Sequence, residues 1–443
     1  MVNLLPEDVL TNIIRRLARR YLAISRCVCK TWCSIIDAHK LLCADLLPHS
    51  VYGIFINFNE LSITEFFSRP SKGPTVSGNF DFLPISFHIT DHCNGFVLLH
   101  NYVVNPATRQ WAPLPPCPSM VGEDFFFREY LVFDPTMSPH YEVFQIPLAR
   151  GNVSYSMLNY GGKLDPAIGE LEWPPSPFIL HAFSSRSKEW EERSFVREGE
   201  AAGNVADMQL DWPFVQDNAV YWRGVLYVNF RTKFVMRISL SIGKYKVIKP
   251  PPPEGFEWME CSDLYLGKSE KGVYCALYGC LNLISIYILD ESSGEIEWVI
   301  KHWCNVLPIL RQRIDGPGPW TLQDINYHES YDEYEDGNND AIVEEKFEWD
   351  SDSDNIIDTK SEDRWGMYDS CAYITFLGFH PYKEVVFLSD TLRRGFAHHL
   401  NSSKIQDLGD IHPTHYGTAM GIRPFIEESF PYTPWMGDFL EDD

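Results

Sequence analysis

One pattern recurs along this chain and limits its possible folds: an apolar strand, a polar turn, an aromatic residue, then a second strand. The clearest copy is Tyr102-Val-Val-Asn-Pro-Ala-Thr-Arg-Gln-Trp111, followed by Pro113-Leu-Pro-Pro116. Leu131-Val-Phe-Asp-Pro-Thr136 leading to Tyr141 is a second, and Ala182-Phe-Ser-Ser-Arg-Ser-Lys-Glu-Trp190 a third. Ile288-Leu-Asp-Glu-Ser-Ser-Gly-Glu-Ile-Glu-Trp298 is a fourth. Each copy reads as a hairpin, because Asn/Asp-Pro and Ser/Gly tolerate turn geometry. The aromatic lands where it can pack on the neighbouring sheet. One hairpin is marginal alone, whereas several set radially bury each other's faces. The repeat therefore predicts a mainly β chain, a β-propeller-like domain with a β-sandwich as the alternative. Trp111, Trp190, Trp222 and Trp298 are read as blade packing.

From about Val51 onwards the texture supports this. Short apolar runs close on Pro/Gly or polar turns, as in Val51–Phe58, Ala219–Phe230 and Val385–Leu388. The 14% aromatic content, with 30 Pro and 28 Gly, favours strands and turns over a helical bundle. The longest nearly apolar run, Cys275 to Leu289, is too short for a membrane-spanning helix and is interrupted by Gly279, Asn282 and Ser285. It reads as strand–turn–strand.

The first forty residues differ. Pro6 suits a first helical position, and Glu7 and Asp8 complement the dipole of the first turn. Val9, Leu10, Ile13, Ile14 and Leu17 follow at helical spacing, and Arg15, Arg16, Arg19 and Arg20 crowd the far end. A second apolar set comprises Leu22, Ile24, Val28, Trp32, Ile35 and Ile36. So short a segment cannot close its own core. It is either a cap folded onto the following domain or a docking module completed by another protein.

The run Leu5-Pro6-Glu7-Asp8-Val9-Leu10, with Ile13, Leu17 and Arg26-Cys27-Val28-Cys29-Lys30-Thr31-Trp32, resembles an F-box. The family commonly has Pro where this chain has Ala18, so the resemblance does not imply a sharp end to the first helix. It implies an F-box over residues 1–46 that binds a Skp-family adaptor, and through it a cullin–RING ubiquitin ligase. By the same resemblance the adaptor-facing residues are Leu5, Pro6, Ile13, Leu17, Val28, Cys29 and Trp32. Asp91-His-Cys-Asn-Gly95, Val103 to Trp111 with Leu114-Pro-Pro116, and Ala219 to Val228 resemble the plant F-box-associated, kelch-like domain. That likeness implies a target-recruiting domain over residues 51–431, with a tail at 432–443. The end from Trp435 to Asp443 is expected to fray.

From Asp324 to Arg364 the chain carries 16 acidic residues against three basic ones. Such density predicts a disordered acidic insertion between blades, a solvated spacer in the simplest reading. An acidic lure for a basic target, or phosphorylation at Ser351 and Ser353, is the functional alternative.

The formal net charge of −24 disfavours nucleic acid and anionic membranes as partners. The 11 scattered cysteines form neither a secreted disulfide framework nor paired zinc ligands, so no metal and no cofactor is expected. His398-His399 and His412-Pro-Thr-His415 read as surface or loop histidines. The N-terminus lacks the pattern of a signal peptide. An intracellular location, in cytoplasm or nucleus, is therefore expected, with the sequons at Asn152 and Asn401 unglycosylated. No G-x-S-x-G, phosphate loop or H-E-x-x-H occurs.

Two functions follow. One is the non-catalytic substrate-recognition subunit of a Skp–cullin–F-box ubiquitin ligase. The other is a propeller-type ligand-binding protein or enzyme with an incidental helical N-terminus. For the first, loop arginines suit target anchors, and Arg223, Arg231, Arg393 and Arg394 are the candidates.

Overall fold

The computed structural model describes residues 7–14, 25, 29, 32–35, 50–59, 61, 63–70, 76–84, 88–118, 125–149, 165–208, 218–230, 234–251, 263–279, 283–292, 294–306, 314, 316, 318–323, 349, 355–357, 374–390, 393–413, 416, 421 and 424–437. Helix α1 spans Glu7–Ile14. Short helical pieces also lie at residues 32–35, Pro166–Gly169 and Val205–Met208; the other described elements are strands, and no helix among the described residues is long and apolar enough to cross a membrane.

Strands β1 (Gly53–Phe58) and β2 (Glu65–Ser68) come first. Sheet I follows as β3 (Ile89–Cys93), β4 (Phe96–Leu99), β5 (Tyr102–Asn105) and β6 (Gln110–Pro113). Sheet II holds β7 (Phe125–Val132) and β8 (Glu142–Ala149), then, beyond the short β9 (Glu172–Trp173), β10 (Phe178–Ser184) and β11 (Glu189–Glu198). After β12 (Gly203–Asn204), which pairs with β9, sheet III holds β13 (Ala219–Trp222), β14 (Val225–Phe230), β15 (Phe234–Ser239) and β16 (Lys244–Ile248). Sheet IV is β17 (Asp263–Ser269), β18 (Gly272–Gly279), β19 (Leu283–Asp290) and β20 (Glu297–Asn305). Beyond β21 (Thr321–Leu322), sheet V is β22 (Ile374–Phe379), β23 (Val385–Asp390), β24 (Arg394–His399) and β25 (Ile405–Asp410). The last strand, β26 (Ile426–Tyr432), returns to pair with β1, so sheet VI reads β26-β1-β2-β21.

Six apolar clusters lie between successive sheets and close these six into a ring. Leu98 and Val103 meet Leu131 and Val143 between I and II. Phe144 and Leu180 meet Val228 and Met236 between II and III. Val235 meets Leu266 and Cys275 between III and IV. Ala276 and Ile286 meet Val386 and Leu388 between IV and V. Val385 and Phe387, on the other face of the same strand, meet Ile54 and Phe67 of sheet VI. Phe55 and Phe66 then meet Val97 and Val104 of sheet I. A strand buried on both faces reads as a continuous apolar run, which explains the texture of Val51–Phe58 and Val385–Leu388. The architecture is propeller-like, as the repeat predicts. The run Cys275 to Leu289 is indeed split, into β18 and β19.

The repeat has a backbone cause. Where third and fourth strands join, Lys188, Gly243 and Ser403 take positive φ (59°, 68° and 54°). Each donates its N–H to the carbonyl four residues back, on Ser184, Ser239 and His399. Arg109 and Gly294 take positive φ in the corresponding turns of sheets I and IV. The aromatics beyond these turns tie each sheet to the one before. The indole N–H of Trp190 donates to the Pro115 carbonyl at 2.8 Å, and that of Trp298 to the Lys249 carbonyl at 3.1 Å. Trp111 instead stands exposed at the edge of sheet I, edge-on to Tyr102.

Three expectations change. The chain end is not frayed at Trp435, which is buried against Phe133 and over sheet I. The buried Asn105 amide donates to the carbonyls of Trp435 and Gly437, at 2.9 and 3.1 Å. Gly95 makes room for it, since a Cβ there would lie 2.4 Å from the Trp435 Cβ. A terminus that completes a sheet interface outweighs the general tendency of chain ends to loosen. His398 and His399 are not surface residues either, because β24 is covered on both sides; His412 is exposed. Within the acidic segment, Trp349 is buried edge-on to Trp320, and the Asn355 and Ile357 backbones bond to Asp407 and Ile405 on β25. These apolar residues find a sheet surface that their acidic neighbours do not need. Most of the segment, Ser351 and Ser353 included, lies outside the described residues.

Replacing Trp435 with Ala should lower unfolding stability by about 3–5 kcal/mol, the usual cost of emptying a buried aromatic site. Urea unfolding of the two proteins measures it. No measurable loss would mean the end is not anchored there.

Candidate functional site

Two places merit description as sites: the N-terminal helix and the centre of the ring. On α1 the fully buried side chain is Ile14, with Thr11 beside it. Val9 and Ile13, one turn apart on another side, are 43% and 45% exposed. A helix apolar on its buried side and again on its open side has more grease than the protein covers. Further along, Cys33 donates its N–H to the Cys29 carbonyl at 3.0 Å, a helical turn, and Ile35 is buried. Cys29 and Trp32 are half-buried. Of the seven residues assigned to the adaptor face, Ile13 is thus open, and Cys29 and Trp32 are partly so. Leu5, Pro6, Leu17 and Val28 lie outside the described residues.

The first strands of the sheets gather around a central cavity lined by Asp91, His92, Asn94, Lys268, Phe379 and Ser429, among others. It has about 70 Å³ open to water-sized molecules. A typical small-molecule site offers ~300 Å³ or more. Asp91 accepts the Leu131 N–H at 2.7 Å and so joins sheets I and II. Burial pushes its carboxyl up to about 7, although the Leu131 and His92 N–H groups, Arg128 and Lys268 all pull the other way. His92 is driven down to about 3, mainly by burial and then by Lys268, against a hydrogen bond with the Pro431 carbonyl. The imidazole is therefore neutral at physiological pH. Burial also pushes the Cys93 thiol up to about 11, and it donates to the Phe133 carbonyl. Such a thiol is a poor nucleophile. Lys268 donates to Asn94 Oδ1 at 3.0 Å and the Tyr221 carbonyl at 3.1 Å. Arg128 of sheet II pairs with Glu428 of sheet VI. Asp91 is buried and Arg128, Glu428 and Lys268 are half-buried, and their bonds to one another or to neighbouring backbone and amide groups hold the inner strands together. Sequence reading quoted Asp91 and His92 within a motif but did not foresee Lys268 or Arg128 beside them, because they come from distant strands.

The four candidate target arginines do not share a surface. Arg223 is exposed in the turn between the first and second strands of sheet III, with its guanidinium 4.6 Å from the Trp222 ring centre. It and Gly224 both take positive φ, 49° and 83°. Asn94 and Gly95 do the same in sheet I, so Arg223 occupies a position that Asn suits better. Arg393 is exposed between the second and third strands of sheet V, at the opposite end of its sheet. Arg394 is buried, with Nε and Nη2 each 2.6 Å from the Asp407 carboxylate and Nη1 2.7 Å from the Gly316 carbonyl. It braces sheet V and leaves no free donor face for a target, a correction to its assignment. Arg231 lies outside the described residues. Trp190 and Trp298 are half-buried in their latches, while Trp222 serves as the platform under Arg223.

The buried carboxyls set a pH dependence. Asp91 is raised to about 7 in the fold, so the native state holds a proton that the unfolded chain has lost. Its stabilising contribution is complete below its ordinary value of 3.8 and is lost as pH rises through about 7. Glu129, also raised to about 7 by burial, acts in the same direction. His92 acts oppositely, but only below its ordinary 6.5. Between about pH 6.5 and pH 8.5 the melting temperature should therefore fall, and Asp91→Asn should flatten that fall. Melting curves at the two pH values test this; an unchanged slope would clear Asp91 of the effect.

The family model for the F-box domain matches residues 2–43, the segment that contains α1, Cys29 and Trp32. F-box protein At3g07870 of Arabidopsis thaliana is 25% identical over 348 residues, 71% of this chain and 76% of its own length. Among solved structures, the periplasmic gluconolactonase PpgL of Pseudomonas aeruginosa is 11% identical, covering 82% of this chain and 97% of its own, with a TM-score of 0.32. Sqt1 of Saccharomyces cerevisiae is also 11% identical, covering 82% and 85%, with a TM-score of 0.27. The chain thus carries an F-box domain at its N-terminus and is similar over most of its length to a plant F-box protein.

Proposed function

We propose that this chain is the substrate-recognition subunit of a Skp–cullin–F-box ubiquitin ligase. The F-box binds a Skp-family adaptor, and the propeller-like, kelch-like domain holds a target protein. The observation that carries this is the uncovered apolar side of α1, Val9 and Ile13, inside the segment that the F-box model matches. Leaving such side chains in water costs free energy that a partner's groove recovers, at roughly 25 cal/mol per Å² of apolar surface covered. The narrow central cavity, whose charged groups bond to one another or to neighbouring backbone and amide groups, supports a non-catalytic role. A ligase of this kind acts by holding its target near the conjugating enzyme, through effective concentration and orientation. This role places the protein in the cytoplasm or nucleus, with protein partners rather than nucleic acid or membrane.

Adaptor capture tests the first half. Ile13→Asp puts a charge on an exposed position, so the fold should survive while affinity for a Skp-family adaptor falls about tenfold or more. Circular dichroism controls for folding. Undiminished capture by a folded variant would remove the adaptor reading.

The second half concerns Arg223 and Arg393, the two exposed arginines, as anchors for the target. Each is changed to Ala and tested against a target identified by affinity capture with ligase activity blocked. Because the two lie at opposite ends of their sheets, one should weaken binding and the other should leave it unchanged. Parent affinity for both would exclude them as anchors.

A further inference from the structure

Among the described residues the outer strand edges are protected, with one exception. A sheet edge presents unpaired N–H and C=O groups and invites another strand, and natural proteins shorten, cover or block it. Here β6 is four residues long and runs into Leu114-Pro115-Pro116, which cannot extend a ladder. Strand β16 pairs in parallel with the end of β11, Val196–Glu198, and the rest of β11 carries Glu189, Glu191, Glu192 and Arg193, charges that block an edge. In sheet V, β25 is covered by Asn355–Ile357, whose backbone bonds to Ile405 and Asp407 are 2.8 and 3.0 Å. In sheet VI the edge strand β21 has two residues. Strand β20 of sheet IV is different. It runs nine residues, from Glu297 to Asn305, and lies at the end of its sheet with no further strand beside it among the described residues. Its side chains are also unusually apolar for an open edge, with Val299 40%, Ile300 37% and Trp303 66% exposed.

The order of charges along β20 says what fits it. The strand reads Glu297-Trp-Val-Ile-Lys301-His-Trp-Cys-Asn305. Set it antiparallel to another copy of itself, with a two-fold axis through Val299. Glu297 then stands opposite Lys301 of the second copy, and Lys301 opposite the second copy's Glu297. Trp298 stands opposite Ile300, and Val299 opposite itself. Opposite-charge and aromatic–β-branched pairs are the combinations that stabilise antiparallel neighbours. Moving the axis by one residue, to Ile300, sets Lys301 against Val299 and Glu297 against Trp303 and loses both charge pairs. Lys301 is also the bulged residue of the β19–β20 pairing, and its ammonium lies 3.5 Å from Glu384 of sheet V. A closed two-fold contact of this kind satisfies the edge once and stops, which keeps it from growing into a fibre.

We propose that β20 is the dimerisation edge of this protein, pairing antiparallel with β20 of a second copy about an axis at Val299. Sheet IV then continues across the contact as one eight-stranded sheet. The interface lies on the rim of the ring, away from the central cavity, and does not depend on the ligase role argued above.

Sedimentation of the full-length chain over a concentration series reads the association, and charge reversal reads the register. The parent should dimerise. E297K puts lysine against lysine twice and should weaken the dimer about tenfold or more, while E297K/K301E restores the pairs and should recover most of that loss. A covalent trap locates the axis. In an antiparallel pair, opposite Cα atoms lie roughly 4.5–5.5 Å apart, within reach of a disulfide. Val299→Cys should thus give a covalent dimer on mild oxidation, while Ile242→Cys, more exposed still in the turn between β15 and β16, should not. A parent that stays monomeric at every concentration overturns the proposal, whether because a segment of the same chain covers β20 or because the edge serves another protein. A dimer indifferent to E297K, a double variant that fails to recover, or no specific cross-link at Val299 overturns it equally.

Discussion

The ring depends on one pairing between the two ends of the domain. Strand β1 lies between β2, close to it in sequence, and β26, from the far end of the chain; Gly53 stands opposite both Ser68 and Tyr432. Until β26 arrives, sheet VI lacks its inner strand, and the faces of sheets V and I that should cover it stay open. Once it arrives, Ile54 and Phe67 close on Phe387, and Phe55 and Phe66 close on Val97. Every inter-sheet cluster is then sealed on both sides. The chain beyond β26 adds a second fastening, with Trp435 between Phe133 and Gly95 and its carbonyl held by Asn105. Closure by backbone pairing, packing and buried side-chain hydrogen bonds at one seam makes the ring cooperative, because no sheet can leave without exposing two neighbours.

That closure explains why the charged groups of the centre are spent internally. The inner strands are close enough that Asp91, Arg128, Glu428 and Lys268 engage one another or nearby backbone. A buried ion in a narrow, poorly solvated space must be paired or neutralised. Both occur here: Arg128 and Glu428 pair, while Asp91 and His92 shift towards their neutral forms.

Much of this was legible in the residues, for identifiable reasons. The hairpin repeat is a local property: a turn that closes on a residue of positive φ and an aromatic after it leave a mark wherever they occur. The F-box segment was legible because its apolar, proline, cysteine and tryptophan positions agree in order with a known family. Other readings failed where the answer lay in distant chain. Arg394 looked like an exposed turn arginine until Asp407 and Gly316 met it. His398 and His399 looked polar enough for a surface until sheets IV and VI enclosed β24. Trp435 looked like part of a loose end until Gly95 and Asn105 received it.

By itself the sequence determined that the chain would be a short helical F-box segment followed by hairpins of repeating design. It did so because turn chemistry and hydrophobic period act over a few residues. Only the tertiary structure decided that the hairpins form six sheets, that the last strand joins the first, and which arginines reach solvent. Those outcomes depend on which faces meet across hundreds of residues. Burial and pairing there follow from where each sheet is placed, not from the identity of any one side chain.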